Sequence, residues 1–319
     1  MSEHRPHAPL PDLDRLQRLS ARLAQSAAAH PVLERLDIDE VLRIVPEKRA
    51  ILAGTFDGRA AVIRMVEPDF TEKLAREWAE LVRIWPHMND GAYRVAQPLL
   101  HVPEAGLMVT ERIEGKPLLE FLWQEQPDER PQHLRPAAEW LRLFTEMTES
   151  WRAGNALGWL ARAERAASKQ PFARLRRIET GILEHLRKMA AQLDGAECRD
   201  AISHGDFHPN NLVIGKDHLT GIDTGGSGRL PVCKDIARFL VHMGRRGMIL
   251  SGQRRLGVDA AGIEIFTDVF GLSETERRLW LPFFIGIEAL IRVETRALGS
   301  GRIRHAEDMY GRLLEDLGG

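Results

Sequence analysis

The hydrophobic period of this chain changes near residue 112, and that change sets what it can fold into. Upstream, "IDEVLRIV", "AILAGTF" and "RAAVIRMV" carry the pattern of half-buried strands. Asp57-Gly58, between the last two, is a hairpin turn pair. "DFTEKLAREWAELVRIW" steps by threes and fours and predicts a helix, with Asp69 as N-cap and Glu72 three residues on. "YRVAQPLLHV" and "GLMVTERI" flank the turn "PEAG" and add two strands, so residues 36–112 read β-β-β-α-β-β. Downstream the period is helical over 134–151, 172–193 and most of 233–318. The exception is 201–223, where "AIS", "NLVI" and "LTGID" read as short strands. The pattern predicts an α+β chain: a small antiparallel β-sheet lobe over 36–112 and a larger, mainly helical lobe over 113–319. Before them, residues 1–35 hold a Pro-rich start, expected to be mobile, and a helix marked by Leu13, Leu16, Leu19 and Leu23.

Composition removes several classes of function. At 319 residues the chain is too long for one compact core, which agrees with two lobes. A net charge of -2 carries no footprint for nucleic acid or an anionic membrane. Cys198 and Cys233 alone give neither a disulfide framework nor a cysteine zinc site. The start lacks an apolar signal segment and no run of 18 apolar residues occurs, so a cytoplasmic enzyme or binding protein is expected.

The stretch "ISHGDFHPNNLVI" (202–214) sets His, Pro and Asn between two apolar segments, which suits a loop far better than a strand or helix. Asp206 on that loop has the chemistry to accept a hydroxyl proton. Asn211, five residues on, offers an amide oxygen to a hard cation, and Asp223 in "GIDTGG" offers a carboxylate to the same ion. Base, amide ligand and carboxylate ligand at the spacing H-x-D-x-x-x-x-N are the parts of kinase-type phosphoryl transfer. His204, His208 and His218 are open to reading as a zinc cluster, but no Glu or Cys stands at zinc-like spacing beside them.

"HGDFHPNNLVI…LTGIDTGG…KDIARFL" resembles the aminoglycoside phosphotransferase and choline kinase family, over about residues 36–245. The resemblance implies a protein-kinase-like bilobal fold and an ATP- and Mg²⁺-dependent transfer of phosphate to a small-molecule hydroxyl. By position it implies Asp206 as catalytic base, Asn211 and Asp223 as magnesium ligands, and Asp235 as a structural aspartate behind the loop. "TERIEG" resembles the adenine-binding hinge, with Glu111 and Ile113 as backbone contacts, and Val62 would line the adenine pocket. Glu77 matches the helix glutamate that orients a phosphate-binding lysine, with Glu72 and Glu80 on the same helix as competitors.

The chain departs from that pattern in three places. Arg64 stands where the family usually has Lys, "VPEKRAI" has no glycine-rich loop, and Thr224 with "GGSG" follows Asp223 where Trp-Glu is usual. These departures keep an alternative open: a pseudokinase-like nucleotide- or partner-binding module with little or no transfer. Strand alternation puts Val62 and Arg64 on one face, and a buried guanidinium needs an anion, so an Arg64–Glu77 ion pair is expected. For the acceptor, residues 241–319 balance eleven Arg against eleven Asp and Glu, without an acidic funnel for a polycation. Their few aromatic residues read as core rather than as a choline cage.

Overall fold

The fold was taken from a computed structural model, which describes residues 13–225 and 228–319, with side chains from residue 17. The Pro-rich start and the side chains of Leu13 and Leu16 lie outside the described residues. In chain order the helices are α1 (Leu13–Ala29), α2 (Thr71–Ile84), α3 (Leu118–Gln124), α4 (Leu134–Glu146), α5 (Ala156–Ala167), α6 (Ala173–Leu193), α7 (Val232–Gly244), α8 (Ala260–Phe270), α9 (Leu281–Ile291) and α10 (Ser300–Gly318). The first seven strands are β1 (Leu36–Val45), β2 (Arg49–Phe56), β3 (Arg59–Val66), β4 (Tyr93–Val95), β5 (Pro98–Val102), β6 (Leu107–Glu111) and β7 (Lys116–Pro117). The others used below are β8 (Ser150–Ala153), β9 (Glu197–Ile202), β10 (Leu212–Ile214), β11 (Leu219–Gly221) and β12 (Arg229–Pro231). Among the described residues, those up to 82 with 96–112 form one unit and those of 83–95 with those from 113 on a second.

The first unit is a five-stranded antiparallel sheet in the order β1-β2-β3-β6-β5. Asp57 and Gly58 both take positive φ, 53° and 72°, the turn whose twist matches a hairpin. Alternation along β3 decides what each face meets. Ala61, Ile63 and Met65 are buried in a core with Leu52, Leu107 and Val109, against which Leu19, Leu23 and Ala27 of α1 pack. On the other side Met108 and Val66 pack with Leu74 and Trp78 of α2. A helix therefore covers each face, where the sequence indicated α2 alone.

Two sequence expectations are corrected in this region. Asp69 does not cap α2: it lies within the 3₁₀ turn Pro68–Phe70, and the helix begins two residues later. "YRVAQPLLHV" is two strands: β4 pairs in parallel with β11 in the second unit, while β5 joins the first unit's sheet. Pro98, which has no N–H to donate, begins β5.

The second unit holds a four-stranded sheet, β4-β11-β10-β7, a three-stranded sheet, β12-β9-β8, and helices α3–α10. The helix expected to reach Trp151 stops at Glu146, and Trp151 belongs to β8. Every residue of α7 is buried. α9 is apolar along its length except for Glu288, which is also buried. Trp140 of α4 stacks on Phe144 and Phe207 and donates Nε1–H to the Arg94 carbonyl at 2.8 Å. Among the described residues no helix is long and apolar enough to cross a membrane.

Candidate active site

The loop between β9 and β10 is held from behind by α7. Gly205 takes φ 77°, a left-handed conformation open to glycine at little cost. That turn lets its N–H donate to Asp235 Oδ2 at 3.0 Å, while Lys234 Nζ donates to its carbonyl at 3.2 Å. Asp235, expected behind the loop from the resemblance, occupies that place. His204 is fully buried, with Nε2 3.1 Å from the Ile222 carbonyl, and burial holds its pKa below the ordinary imidazole value.

The β10–β11 hairpin brings the expected ligands together. Leu212 pairs with Gly221, and the Ile222 N–H donates to the Asn211 carbonyl at 2.9 Å, so Asn211 and Asp223 flank the same end of the ladder. Asn211 Nδ2 donates to the Asp206 carbonyl at 3.0 Å, which fixes the amide and leaves Oδ1 as the atom able to ligate a cation. Asp223 takes φ 59°, a left-handed conformation that Asp tolerates better than most residues. An amide oxygen and a carboxylate are hard donors and fit Mg²⁺.

Asp206 itself is heavily partnered. Its Oδ1 accepts from Arg238 Nε at 2.9 Å and Arg292 Nη2 at 2.8 Å, and His208 Nε2 lies 3.5 Å from Oδ2. Burial alone would raise its pKa. The hydrogen bond from His208 and the charges of Arg238 and Arg292 outweigh burial and hold the carboxyl well below the usual range. The sequence reading missed these partners. A signal was present for α7, where Asp235, Arg238 and His242 recur at three- and four-residue steps and share a face. None existed for Arg292, which is distant in sequence.

The remaining expected residues fall in two places. Val62 and Arg64 lie on the half-buried face of β3, and Arg64 Nη1 forms the expected ion pair with Glu77 Oε2. Glu72 is exposed beside Arg76, so Glu77 rather than Glu72 meets Arg64. Glu111 closes β6 with its N–H donated to the Gln97 carbonyl at 2.9 Å, and Ile113 follows beyond the strand. Between β1 and β2 the chain turns through Pro46-Glu47-Lys48, with Glu47 at φ 56° and Lys48 N–H 3.2 Å from the Val45 carbonyl. The histidines do not converge: His218 Nε2 lies 2.7 Å from Arg94 Nη2 and His208 stacks on His242. No group of three His, Cys, Asp or Glu among the described residues is placed to hold a metal.

A family model described as "Phosphotransferase enzyme family" matches residues 46–260, more than half of the chain. The chain belongs to this family. No curated protein sequence matches it. Solved structures similar to this chain include a putative aminoglycoside phosphotransferase from Ralstonia eutropha, at 13% identity and TM-score 0.60, covering 94% of this chain and 98% of that one. An amicoumacin kinase in complex with AMP-PNP, Ca²⁺ and Ami has 13% identity and TM-score 0.57, covering 94% and 96%. A choline/ethanolamine kinase family protein from Mesorhizobium loti has 15% identity and TM-score 0.56, covering 94% and 98%. At these identities the likeness establishes the protein-kinase-like fold, an antiparallel sheet lobe and a helical lobe.

Proposed function

We propose that this phosphotransferase uses ATP as donor and moves the γ-phosphoryl group to a hydroxyl of a small molecule, in the cytoplasm. The reading is carried by one observation: the β10–β11 hairpin sets Asn211 beside Asp223 and ties its amide to the backbone of Asp206. In the reaction the bond from the γ-phosphorus to the bridging oxygen of ADP breaks, and a bond to the acceptor oxygen forms. The hydroxyl proton passes to Asp206 and ADP departs. Asn211 and Asp223 would hold Mg²⁺, which when bound neutralises charge on the donor phosphates. Asp206, held as a carboxylate by Arg238 and Arg292, accepts a hydrogen bond from the acceptor hydroxyl and orients it. Its weak basicity suits a loose transfer, in which little covalent chemistry falls to the protein. Arg64, braced by Glu77, would meet the α- and β-phosphates; Val62 would line the adenine pocket, with backbone contacts from Glu111 and Ile113. AMP-PNP and Ca²⁺ in the amicoumacin kinase complex support nucleotide and divalent-metal use here.

A second reading, a nucleotide- or partner-binding module with little or no transfer, draws on the tight Pro46-Glu47-Lys48 turn standing where a glycine-rich loop would cover phosphates. An ADP-release assay with Mg·ATP against sugars, amino alcohols, hydroxy acids and aminoglycosides decides between them. The phosphotransferase reading requires acceptor-dependent release that Asp206→Asn abolishes while keeping Mg·nucleotide binding, and that Asp223→Ala loses together with that binding. Equal loss of nucleotide affinity in the two variants would overturn the division of roles.

A further inference from the structure

The acid–base balance around Asp206 is uneven. Arg238 and Arg292 share its carboxylate, and Arg245 donates Nε to Glu294 Oε1 at 2.7 Å. Two further guanidiniums join them without a carboxylate partner among the described residues. Arg246, just past the end of α7, donates Nη1 to the His242 carbonyl at 3.0 Å, and Arg302 lies in the first turn of α10, the helix whose His305 ring lies against Gly247, the residue after Arg246. Arg246 and Arg302 are half-buried. Burial, then repulsion from Arg302, Arg245 and Arg238, pushes the Arg246 pKa down to about 9, and burial with Arg245 lowers Arg302 as well. The nearby acids do not redress this surplus: Glu294 gives its Oε1 to Arg245, Glu288 lies between Lys234 at 3.3 Å and Arg292 at 3.9 Å, and burial raises the Glu179 pKa to about 7, so that it is only partly ionised near neutral pH.

The surplus is continuous with Asp206. His208, 3.5 Å from the Asp206 carboxylate, stacks on His242 with ring centroids 4.3 Å apart. His242 is only 4% exposed, its Nε2 is buried without a hydrogen-bond partner, and the neighbouring carbonyl is the one that Arg246 holds. One hydrogen bond to a helix-end carbonyl occupies one of five Arg246 donors, and nothing comparable explains Arg302. Repelling cations and an orphaned imidazole, a short step from the carboxylate that receives the hydroxyl, make a built anion site.

We infer that the acceptor carries an anionic group, a phosphate or a carboxylate, which Arg246 and Arg302 bind while its hydroxyl meets Asp206. The inference rests on the phosphotransferase reading only for the position of that hydroxyl. An amino sugar or choline would set a cation among like charges and is disfavoured; sugar phosphates and hydroxy acids fit.

The test is calorimetry on the full chain saturated with Mg·AMP-PNP, so that the donor phosphates are already in place. Glucose 6-phosphate and glycerol 3-phosphate form the phosphate arm and gluconate and D-glycerate the carboxylate arm, set against glucose, glycerol, glucosamine and choline. At least one anionic compound should bind roughly tenfold tighter than its neutral parent, and the stronger arm names the group. Arg302→Gln and Arg246→Gln should each remove most of that preference without changing Mg·AMP-PNP affinity, and Arg302→Lys should retain part of it. A preference for glucosamine or choline, no binding by any anionic compound, or an unchanged preference in both Gln variants would overturn the inference. Anion binding without ADP release would keep the inference and count against phosphoryl transfer; release with amino sugars alone would do the reverse.

Discussion

Arg64 and Glu77 close a half-buried ion pair, with Lys73 3.5 Å from the same carboxylate. Arg64→Ala leaves Glu77 with Lys73 as its cation, so the loss should be about 2 kcal/mol, below the usual cost of orphaning a buried charge. The same variant should bind Mg·ATP more weakly; undiminished affinity by calorimetry would show that Arg64 meets no phosphate. Arg64→Lys should recover most of both properties, since charge is kept and only the planar fork is lost. Glu179, 1% exposed in α6, makes a different prediction. Burial, against a hydrogen bond from Gln170 and the charge of Arg245, raises its pKa from 4.5 to about 7. Across that interval the folded chain keeps a proton that the unfolded chain has released, so stability falls as pH rises through it and levels off above about 7. Glu179→Gln should therefore stabilise by up to about 3 kcal/mol near pH 8 and by little near pH 4. Urea denaturation at the two pH values checks this, and an equal effect at both would show that the carboxyl titrates normally.

The contact between β11 and α4 has no spare room. A Cβ on Gly221 would stand 1.9 Å from Trp140 Cζ2, inside a stack that also holds Phe144 and Phe207. Gly221→Ala should cost about 1–3 kcal/mol by overpacking. It should also disturb Asp223, two residues on, and lower Mg·ATP affinity. Trp140→Phe in the same chain should relieve much of that penalty; simple additivity in a double-mutant cycle would contradict the contact. The sequence disclosed elements of this kind unevenly, for physical reasons. β2, β3 and α2 were legible because one period runs through each and each face of them answers to one layer. "YRVAQPLLHV" was misread because its two halves are both strand-like but answer to different sheets, and local pattern carries no record of partner choice. Asp206, Asn211 and Asp223 were found through loop chemistry at fixed spacing. Arg292 went unnoticed because it reaches Asp206 from the end of α9, far away in the sequence, through a contact that leaves no period there.

For the molecule as a whole, nucleotide binding should appear as added stability. At a hundredfold excess over Kd, Mg·ATP should stabilise by about 2.7 kcal/mol, provided it binds the folded chain alone. Thermal unfolding should shift upward with Mg·ATP, and EDTA should cancel most of the shift in the parent but change little in Asp223→Ala. A shift indifferent to EDTA would separate nucleotide binding from the proposed metal ligands. The complete burial of α7 has a consequence in time rather than in energy. A helix with no solvent-facing side has no local route for water to reach its amides, so they exchange with deuterium only when much of the surrounding structure opens at once. Val232–Gly244 should stay protonated long after the ends of α1 have exchanged, as peptide-resolved mass spectrometry would record. Asp235 and Arg238 ride on that helix, so the grip on Gly205 and Asp206 should last as long as its slowly exchanging backbone.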